Sequence, residues 1–374
     1  MSDLEQQAAI ELPPADEVAQ LFPVRKNSDP KPDCVREKAL EDLNFGTAFG
    51  DHMGYAKWTP DMGWHDQSVV PYGPLPLDPA AAVLHYGQEI FEGMKAYKWS
   101  DGSVWTFRPG FNAARFNHSA HRMGMPEIPV GDFLGAIVQT VREDEKWVPE
   151  VEDSSLYLRP YMIASEAFLG VRSAQEYLFL MITTPVGPYF KGGVKPIKIW
   201  VESSFHRAAP GGTGDAKTGG NYAASLLPQS LAAEKGYAQV CYLDAATDQN
   251  LEELGGMNVF VVRSDGSVET PSLGTILEGG IRSAIIQLCK DRGIVVRERD
   301  ISLAELLSDI ASGEITEMFA CGTAAVVTPI GELAGDDFRV EIAGSELAIS
   351  VREELSNIQR GVIPDRHNWM YRLI

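Results

Sequence analysis

A single lysine, Lys217, sits in the run Gly211-Gly212-Thr213-Gly214-Asp215-Ala216-Lys217-Thr218-Gly219-Gly220-Asn221-Tyr222, among glycines that give a long cation nothing to pack against. Glycine clusters let a backbone approach a ligand closely or adopt positive φ. A lysine held there can contact phosphate, or it can use its amine in covalent catalysis. The phosphate reading requires Gly-x-x-x-x-Gly-Lys-Ser/Thr directly after a strand. Gly211 and Lys217-Thr218 have that spacing, but Ala216 replaces the glycine before the lysine. The alternating apolar residues Ile197, Ile199 and Val201 also end well before Gly211. A solvated lysine in a turn is the plain alternative, so the rest of the chain has to decide.

Other residues offer complementary chemistry. Gly279-Gly280-Ile281-Arg282 opens an amphipathic stretch, and free amides at a helix start attract anions. Gly322-Thr323-Ala324 follows an apolar strand and offers a hydroxyl and amides. Glu252-Glu253 precedes Leu254-Gly255-Gly256-Met257-Asn258, where a carboxylate among apolar residues needs a partner such as a protonated ring nitrogen. Arg115 sits beside Phe116 in a helical stretch, and Arg159 lies inside Tyr157-Leu158-Arg159-Pro160, where an unpaired cation would be costly. Taken singly these are a helix start, a turn, a pair of surface acids and, for Arg159, an ion pair with a structural carboxylate. The four cysteines (Cys34, Cys241, Cys289, Cys321) form no Cys-x-x-Cys pair, so no metal site is expected.

The elements that must position these groups read as mixed α/β (α+β) in two domains. Helices are expected at 113–123, 130–146 and 221–235, the last bent by Pro228. Strands are expected at 156–162, 177–183 and 238–243, with a hairpin over 258–262 and 267–269 across Asp265-Gly266. A further helix from Ile281 ends at Gly293, and Ser302 with Glu305 forms a capping box. Residues 45–79, rich in Gly, Pro, Trp and Asp, suggest irregular β structure. The expected domains are a loosely ordered arm at 1–40, a smaller α/β domain at 41–186, a linker at 187–193 and a larger mixed-sheet domain at 194–374. The net charge of −20 opposes binding to nucleic acid or an anionic membrane, and no apolar run reaches the ~18 residues of a membrane helix. A reducing, cytoplasmic setting is expected from the cysteines.

Taken together, the motifs resemble one family. Phe45-Gly46, Asp51-His52-Met53, His85-Tyr86, Phe91-Glu92-Gly93-Met94-Lys95-Ala96-Tyr97, Tyr157-Leu158-Arg159-Pro160, Gly187-Pro188-Tyr189-Phe190, Gly214 to Tyr222, Glu253 to Asn258 and Gly322-Thr323-Ala324 occur in family order over residues 40–374. The chain resembles the branched-chain amino-acid aminotransferases, pyridoxal-phosphate enzymes of fold type IV. That resemblance implies transamination between leucine, isoleucine or valine and 2-oxoglutarate. It implies that Lys217 binds pyridoxal 5′-phosphate covalently and later carries the proton, and that Glu253 pairs with the ring nitrogen. Tyr222 would bond the phenolic oxygen. Arg115, the amides of Gly280 and Ile281, and Thr323 would hold the phosphate. Thr323 and Ala324 would take the substrate carboxylate, Tyr86, Phe91 and Tyr157 would wall the side-chain pocket, and Arg159 would accept the distal carboxylate of glutamate.

The resemblance also implies a homodimer. Two departures stand out. Some relatives carry a Cys-x-x-Cys redox pair after the Gly-Thr-Ala turn, where this chain has Ala325 and Thr328, so no such switch is expected. Many carry a hydroxyl residue in place of Gly256. The competing readings are a D-amino-acid aminotransferase or aminodeoxychorismate lyase on the same fold, a P-loop phosphotransferase using Lys217, and a non-catalytic binding protein.

Overall fold

The computed structural model describes residues 2–8, 10–188 and 194–374. Residues 189–193 of the expected linker lie outside the described residues. The chain forms two compact units, one of Met1–Pro188, Ala216–Gly219 and Asn357–Ile374, the other of Tyr189–Asp215 and Gly220–Ser356. This differs from the expected division in two ways. The first unit is the larger, and residues 357–374 belong to it rather than to the C-terminal domain.

In the first unit, helices α1 (Asp3–Ala8), α2 (Ala15–Ala19) and α3 (Asp33–Glu41) precede strands β1 (His52–Thr59) and β2 (Gly63–Pro71). Then come α4 (Ala82–Tyr86), β3 (Glu89–Phe91), β4 (Met94–Lys98), β5 (Val104–Phe107), α5 (Pro109–Arg122), α6 (Val130–Glu143), β6 (Ser155–Ala164) and β7 (Tyr177–Val186). The strands form an eight-stranded sheet with β6 and β7 near its centre, and β3 pairs with β6. A C-terminal strand, Met370–Arg372, closes the edge beside β5, with Tyr371 opposite Thr106. That pairing, and complete burial of Leu373, explains why the last residues return to this unit. The stretch expected to be irregular at 45–79 contains a regular antiparallel pair, with Thr59 opposite Gly63 and one irregularity between Tyr55 and Lys57.

The arm expected to be loose at 1–40 is helical in three places and contributes to the core. Val18 and Phe22 are buried in the same cluster as Phe133, Ile137 and Phe179. Its apolar residues are too few to show a period, but they meet α6 at Gly135. A Cβ at Gly135 would lie 2.5 Å from the Val18 carbonyl oxygen and 3.0 Å from the Phe22 ring. The centre of this core is a set of three rings, Phe116, Phe133 and Phe179, with centroids 5.4 to 6.1 Å apart.

The second unit holds β8 (Ile197–Glu202), α7 (Gly219–Glu234, whose first residue counts with the first unit), β9 (Gln239–Leu243), β10 (Leu251–Leu254), β11 (Asn258–Arg263) and β12 (Val268–Thr270). It continues with α8 (Gly280–Asp291), β13 (Val296–Glu298), α9 (Leu303–Ser312), β14 (Ile315–Gly322), β15 (Val326–Ala334), β16 (Arg339–Glu341) and α10 (Glu346–Gln359). Its sheet is mixed: β8 runs parallel to β9 and β15, while β11, β14 and β15 are antiparallel neighbours. The 258–270 hairpin forms as expected, with Val261 opposite Glu269. Only half of the expected capping box forms. Ser302 Oγ accepts the Glu305 amide at 3.1 Å, but the Glu305 carboxylate turns to Arg263 and Arg299.

Alanine in place of glycine inside a helix ordinarily adds about 1 kcal/mol. Gly135→Ala is expected to do the opposite, losing about 1–3 kcal/mol to overpacking against Val18 and Phe22. Denaturant unfolding measures it, and a stabilised variant would mean that α2 is not docked on α6.

Candidate active site

In the first unit, Lys217 is placed by its main chain. The Phe91 N–H at the end of β3 donates to the Lys217 carbonyl at 3.0 Å. On its other side, the Lys217 N–H donates to Ser119 Oγ at 2.9 Å, from a buried position on α5. Thr218 Oγ1 donates to the Glu89 carbonyl at 2.8 Å, and the Gly219 N–H donates to the Glu89 carboxylate. A Cβ at Gly219 would overlap that carboxylate, so the bare backbone lets the two approach closely as they stand. Burial pushes the Glu89 carboxyl above its ordinary range, against the pull of the Gly219 amide and Arg159.

Three of the expected pocket residues gather around this lysine. The Lys217 Nζ lies 4.9 Å from the Phe91 ring centroid, and the Arg159 guanidinium lies 4.7 Å from the same ring and 5.3 Å from that of Tyr157. Arg159 Nη2 also donates to Tyr157 Oη at 3.1 Å. The cation in β6 therefore rests on aromatic faces, and its charge also acts on the Glu89 carboxyl. Gly93 makes room for this arrangement, because a Cβ there would overlap Tyr157 Oη. Tyr86 stands apart. It is 44% exposed at the end of α4, and its hydroxyl donates to the Leu169 carbonyl.

Arg115 is fixed by Glu92, a residue that the motif contained but no role had been read into. Arg115 Nε and Nη2 donate to the two Glu92 oxygens at 2.7 and 2.8 Å. The Asn112 amide and the Gly93 N–H complete the carboxylate's shell at 2.8 and 3.1 Å. Burial alone would raise the Glu92 carboxyl, but the Arg115 charge, its hydrogen bonds and the nearby Lys217 hold it below the usual range. Removing one partner of such a buried pair costs about 3–5 kcal/mol.

In the second unit, Glu253 on β10 is buried. Its Oε1 is 2.6 Å from Arg207 Nη2 and accepts the Leu277 N–H at 3.2 Å; its Oε2 is 3.4 Å from Asn258 Nδ2. Glu252 is buried too, accepting the Thr275 hydroxyl, and burial pushes its carboxyl upward. Neither acid is the solvated residue that the plain reading allowed. Neither Arg207 nor Asn258 was expected in this role: a lone arginine in a loop carries no periodic signal.

The α8 N-terminus begins after Gly279, which makes no side-chain cap. A Cβ at Gly279 would overlap Asn258 Oδ1, so the side chain of Asn258 lies close against the start of α8. Thr323 and Ala324 lie partly exposed in the turn joining β14 to β15. That turn is strained, since the β-branched Val326, opposite Gly322, has φ +60°. Arg352 on α10 braces it by donating to the carbonyls of Ala325 at 2.5 Å and Val327 at 2.9 Å. Tyr222 is half-buried in the first turn of α7. Beside the turn, burial lifts the Cys321 thiol to about 12, so it is an inert thiol.

The donor set suits pyridoxal 5′-phosphate. A helix start is of the kind that attracts a phosphate, and a buried carboxylate already paired with an arginine is of the kind that suits a protonated ring nitrogen. The P-loop alternative fails on geometry: β8 ends at Glu202, well before Lys217, and residues 216–219 fold with the other unit.

Comparison with known proteins gives the chain a family. The family described as amino-transferase class IV matches residues 89–333. The chain is 49% identical over 360 residues to the branched-chain-amino-acid aminotransferase of Mycolicibacterium smegmatis, covering 94% of this chain and 98% of that one. Among solved structures it is similar to the branched-chain aminotransferase of Thermoproteus uzoniensis with norvaline, at 26% identity and TM-score 0.70, covering 86% and 100% of the two chains. A second similar structure is a branched-chain amino acid aminotransferase complexed with N-(5′-phosphopyridoxyl)-L-glutamate, whose source is given as T.th., at 26% identity and TM-score 0.67, covering 85% and 98%. With its family match and a relative 49% identical over nearly its whole length, the chain belongs to the class IV aminotransferases and, among them, to the branched-chain-amino-acid aminotransferases.

Proposed function

We infer that the chain reversibly exchanges amino groups between branched-chain L-amino acids (leucine, isoleucine, valine) and 2-oxoglutarate, giving branched-chain 2-oxo acids and L-glutamate. The observation that carries this reading is Lys217 held between β3 and α5, with its amine over Phe91 and beside the Arg159–Tyr157 group. Pyridoxal 5′-phosphate, when bound, supplies an electron sink for the pair left when the substrate Cα–H bond breaks. The Lys217 amine holds the cofactor at rest and then carries that proton. Glu253 faces the ring nitrogen as a carboxylate, and Tyr222 donates to the phenolic oxygen. Arg115, the amides of Gly280 and Ile281, and Thr323 hold the phosphate; the two-point contact with Glu92 supports that role by fixing the guanidinium plane.

Thr323 and Ala324 take the substrate carboxylate. Phe91 and Tyr157 wall the side-chain pocket, and Arg159 takes the distal carboxylate of glutamate. The same surface can serve an apolar partner because Arg159 lies against the faces of Phe91 and Tyr157. Apolar walls separate side chains that differ by one methylene only about tenfold to two-hundredfold, so leucine, isoleucine and valine overlap as substrates.

A homodimer is supported by α7. From Gly219 to Ala233 it carries no charged residue, and Leu226 and Leu227 are 67% and 57% exposed. Contiguous exposed apolar surface of this kind marks a contact face. A cytoplasmic setting is supported by four cysteines, all of them free. Among the described residues no helix is long and apolar enough to cross a membrane.

Three outcomes test these assignments. L-leucine is expected to bleach the visible cofactor band and 2-oxoglutarate to restore it, with Lys217→Ala slowing the exchange by more than about a thousandfold; bleaching by D-alanine alone would move the enzyme to the D-amino-acid class. Gly256 is exposed, and a Cβ there would sit 3.7 Å from the Tyr222 ring, an ordinary contact. Gly256→Ser is therefore expected to change kcat/KM by no more than about twofold. Leu226→Glu with Leu227→Glu is expected to shift the sedimentation coefficient from dimer to monomer, and an unchanged value would place the interface elsewhere.

A further inference from the structure

Arg207 lies in the loop after β8, yet its side chain is 3% exposed. One guanidinium there collects three acceptors. Its Nη2 is 2.6 Å from Glu253 Oε1, both terminal nitrogens reach the Gly214 carbonyl at 3.3 and 3.4 Å, and Nη1 reaches the Thr275 carbonyl at 3.3 Å. These acceptors come from separate stretches: β10, the glycine loop leading to Lys217, and the segment before α8. Gly214 packs so closely on Thr275 that a Cβ would overlap the Thr275 carbonyl. The loop therefore cannot draw back from the cation without losing both contacts.

A carboxylate as enclosed as Glu253 would take up a proton if it had no counter-charge. Arginine cannot give up its proton, and its planar fork can serve several acceptors where lysine offers a point charge. Resting on the reading that Glu253 faces the cofactor's ring nitrogen, we propose that Arg207 is a positioning residue. It keeps Glu253 ionised and oriented before the cofactor arrives, and it ties that carboxylate to the glycine loop ahead of Lys217. The site is preorganised for a pyridinium, so binding does not have to rebuild it.

The test is a double-mutant cycle read by equilibrium binding of pyridoxal 5′-phosphate to the cofactor-stripped protein, using wild type, Arg207→Met, Glu253→Gln and the double variant. Arg207→Met is expected to weaken binding on the order of tenfold to a hundredfold. Arg207→Lys should recover part of that loss. In the Glu253→Gln background, adding Arg207→Met should change the affinity by less than about threefold, because the two residues act as one unit. An equal loss in both backgrounds would overturn the proposal and leave Arg207 a structural residue. Glu253→Gln with wild-type affinity and an unchanged visible spectrum would instead overturn the reading of Glu253, and the proposal with it. If Arg207→Met does not fold, the same cycle run with Arg207→Lys gives the same decision.

Discussion

The Phe91 N–H and the Ser119 hydroxyl grip the main chain of Lys217 from two sides, and the chemistry we propose for Lys217 depends on that grip. A lysine side chain has four rotatable bonds, so its amine can return to one place only if its backbone does not move. Glycines alone could not achieve this, because they supply freedom and close approach rather than rigidity. Rigidity comes from β3, whose residues Glu89 and Phe91 bond to the 217–219 stretch much as a neighbouring strand would. β3 in turn is fixed by pairing with β6, with Phe91 opposite Tyr161. Arg159 sits two residues further toward the start of that same strand, so one pairing aligns Lys217 and Arg159, the two residues to which we assign the proton and the glutamate carboxylate.

A second theme is the treatment of buried charge. Glu92 and Glu253 are enclosed acids, and each is matched by an enclosed arginine. Such pairs add little net stability compared with well-packed apolar groups. What they provide is fixed orientation for the groups that the proposed function sets against a charged ligand. Arg159 follows another rule, lying on rings where the two acids have arginines. Its charge is also felt by the Glu89 carboxyl, so the rings and an acid share it.

Much of this was legible in the sequence where a local rule applied. The hairpin at Asp265-Gly266, the helix ending at Gly293 and the buried face of Ile281, Ala284, Ile285 and Leu288 follow from turn chemistry and period. The residues that carry the lysine, Phe91, Tyr157 and Arg159 could be picked out by type and motif. What could not be read was pairing at a distance. Arg207 with Glu253, Glu92 with Arg115, and Ser119 with Lys217 join residues 23 to 98 positions apart with no local signature. The same limit hid the arm. Val18 and Phe22 form no period of their own, and only their fit against Gly135 shows that they belong to the core.

The division of the chain has a consequence for how the protein is made. The first unit is discontinuous: it is left at Pro188, revisited at Ala216–Gly219 and completed only by Asn357–Ile374. Domains tend to fold as units as they leave the ribosome. Here the unit begun first is finished last, because its edge strand Met370–Arg372 and the buried Leu373 follow the whole of the second unit along the chain. Until then β5 remains an open edge, the kind of surface that invites wrong pairing. The second unit, by contrast, has its whole sequence available earlier, and its completion sets the stage on which the nascent N-terminal sheet is sealed.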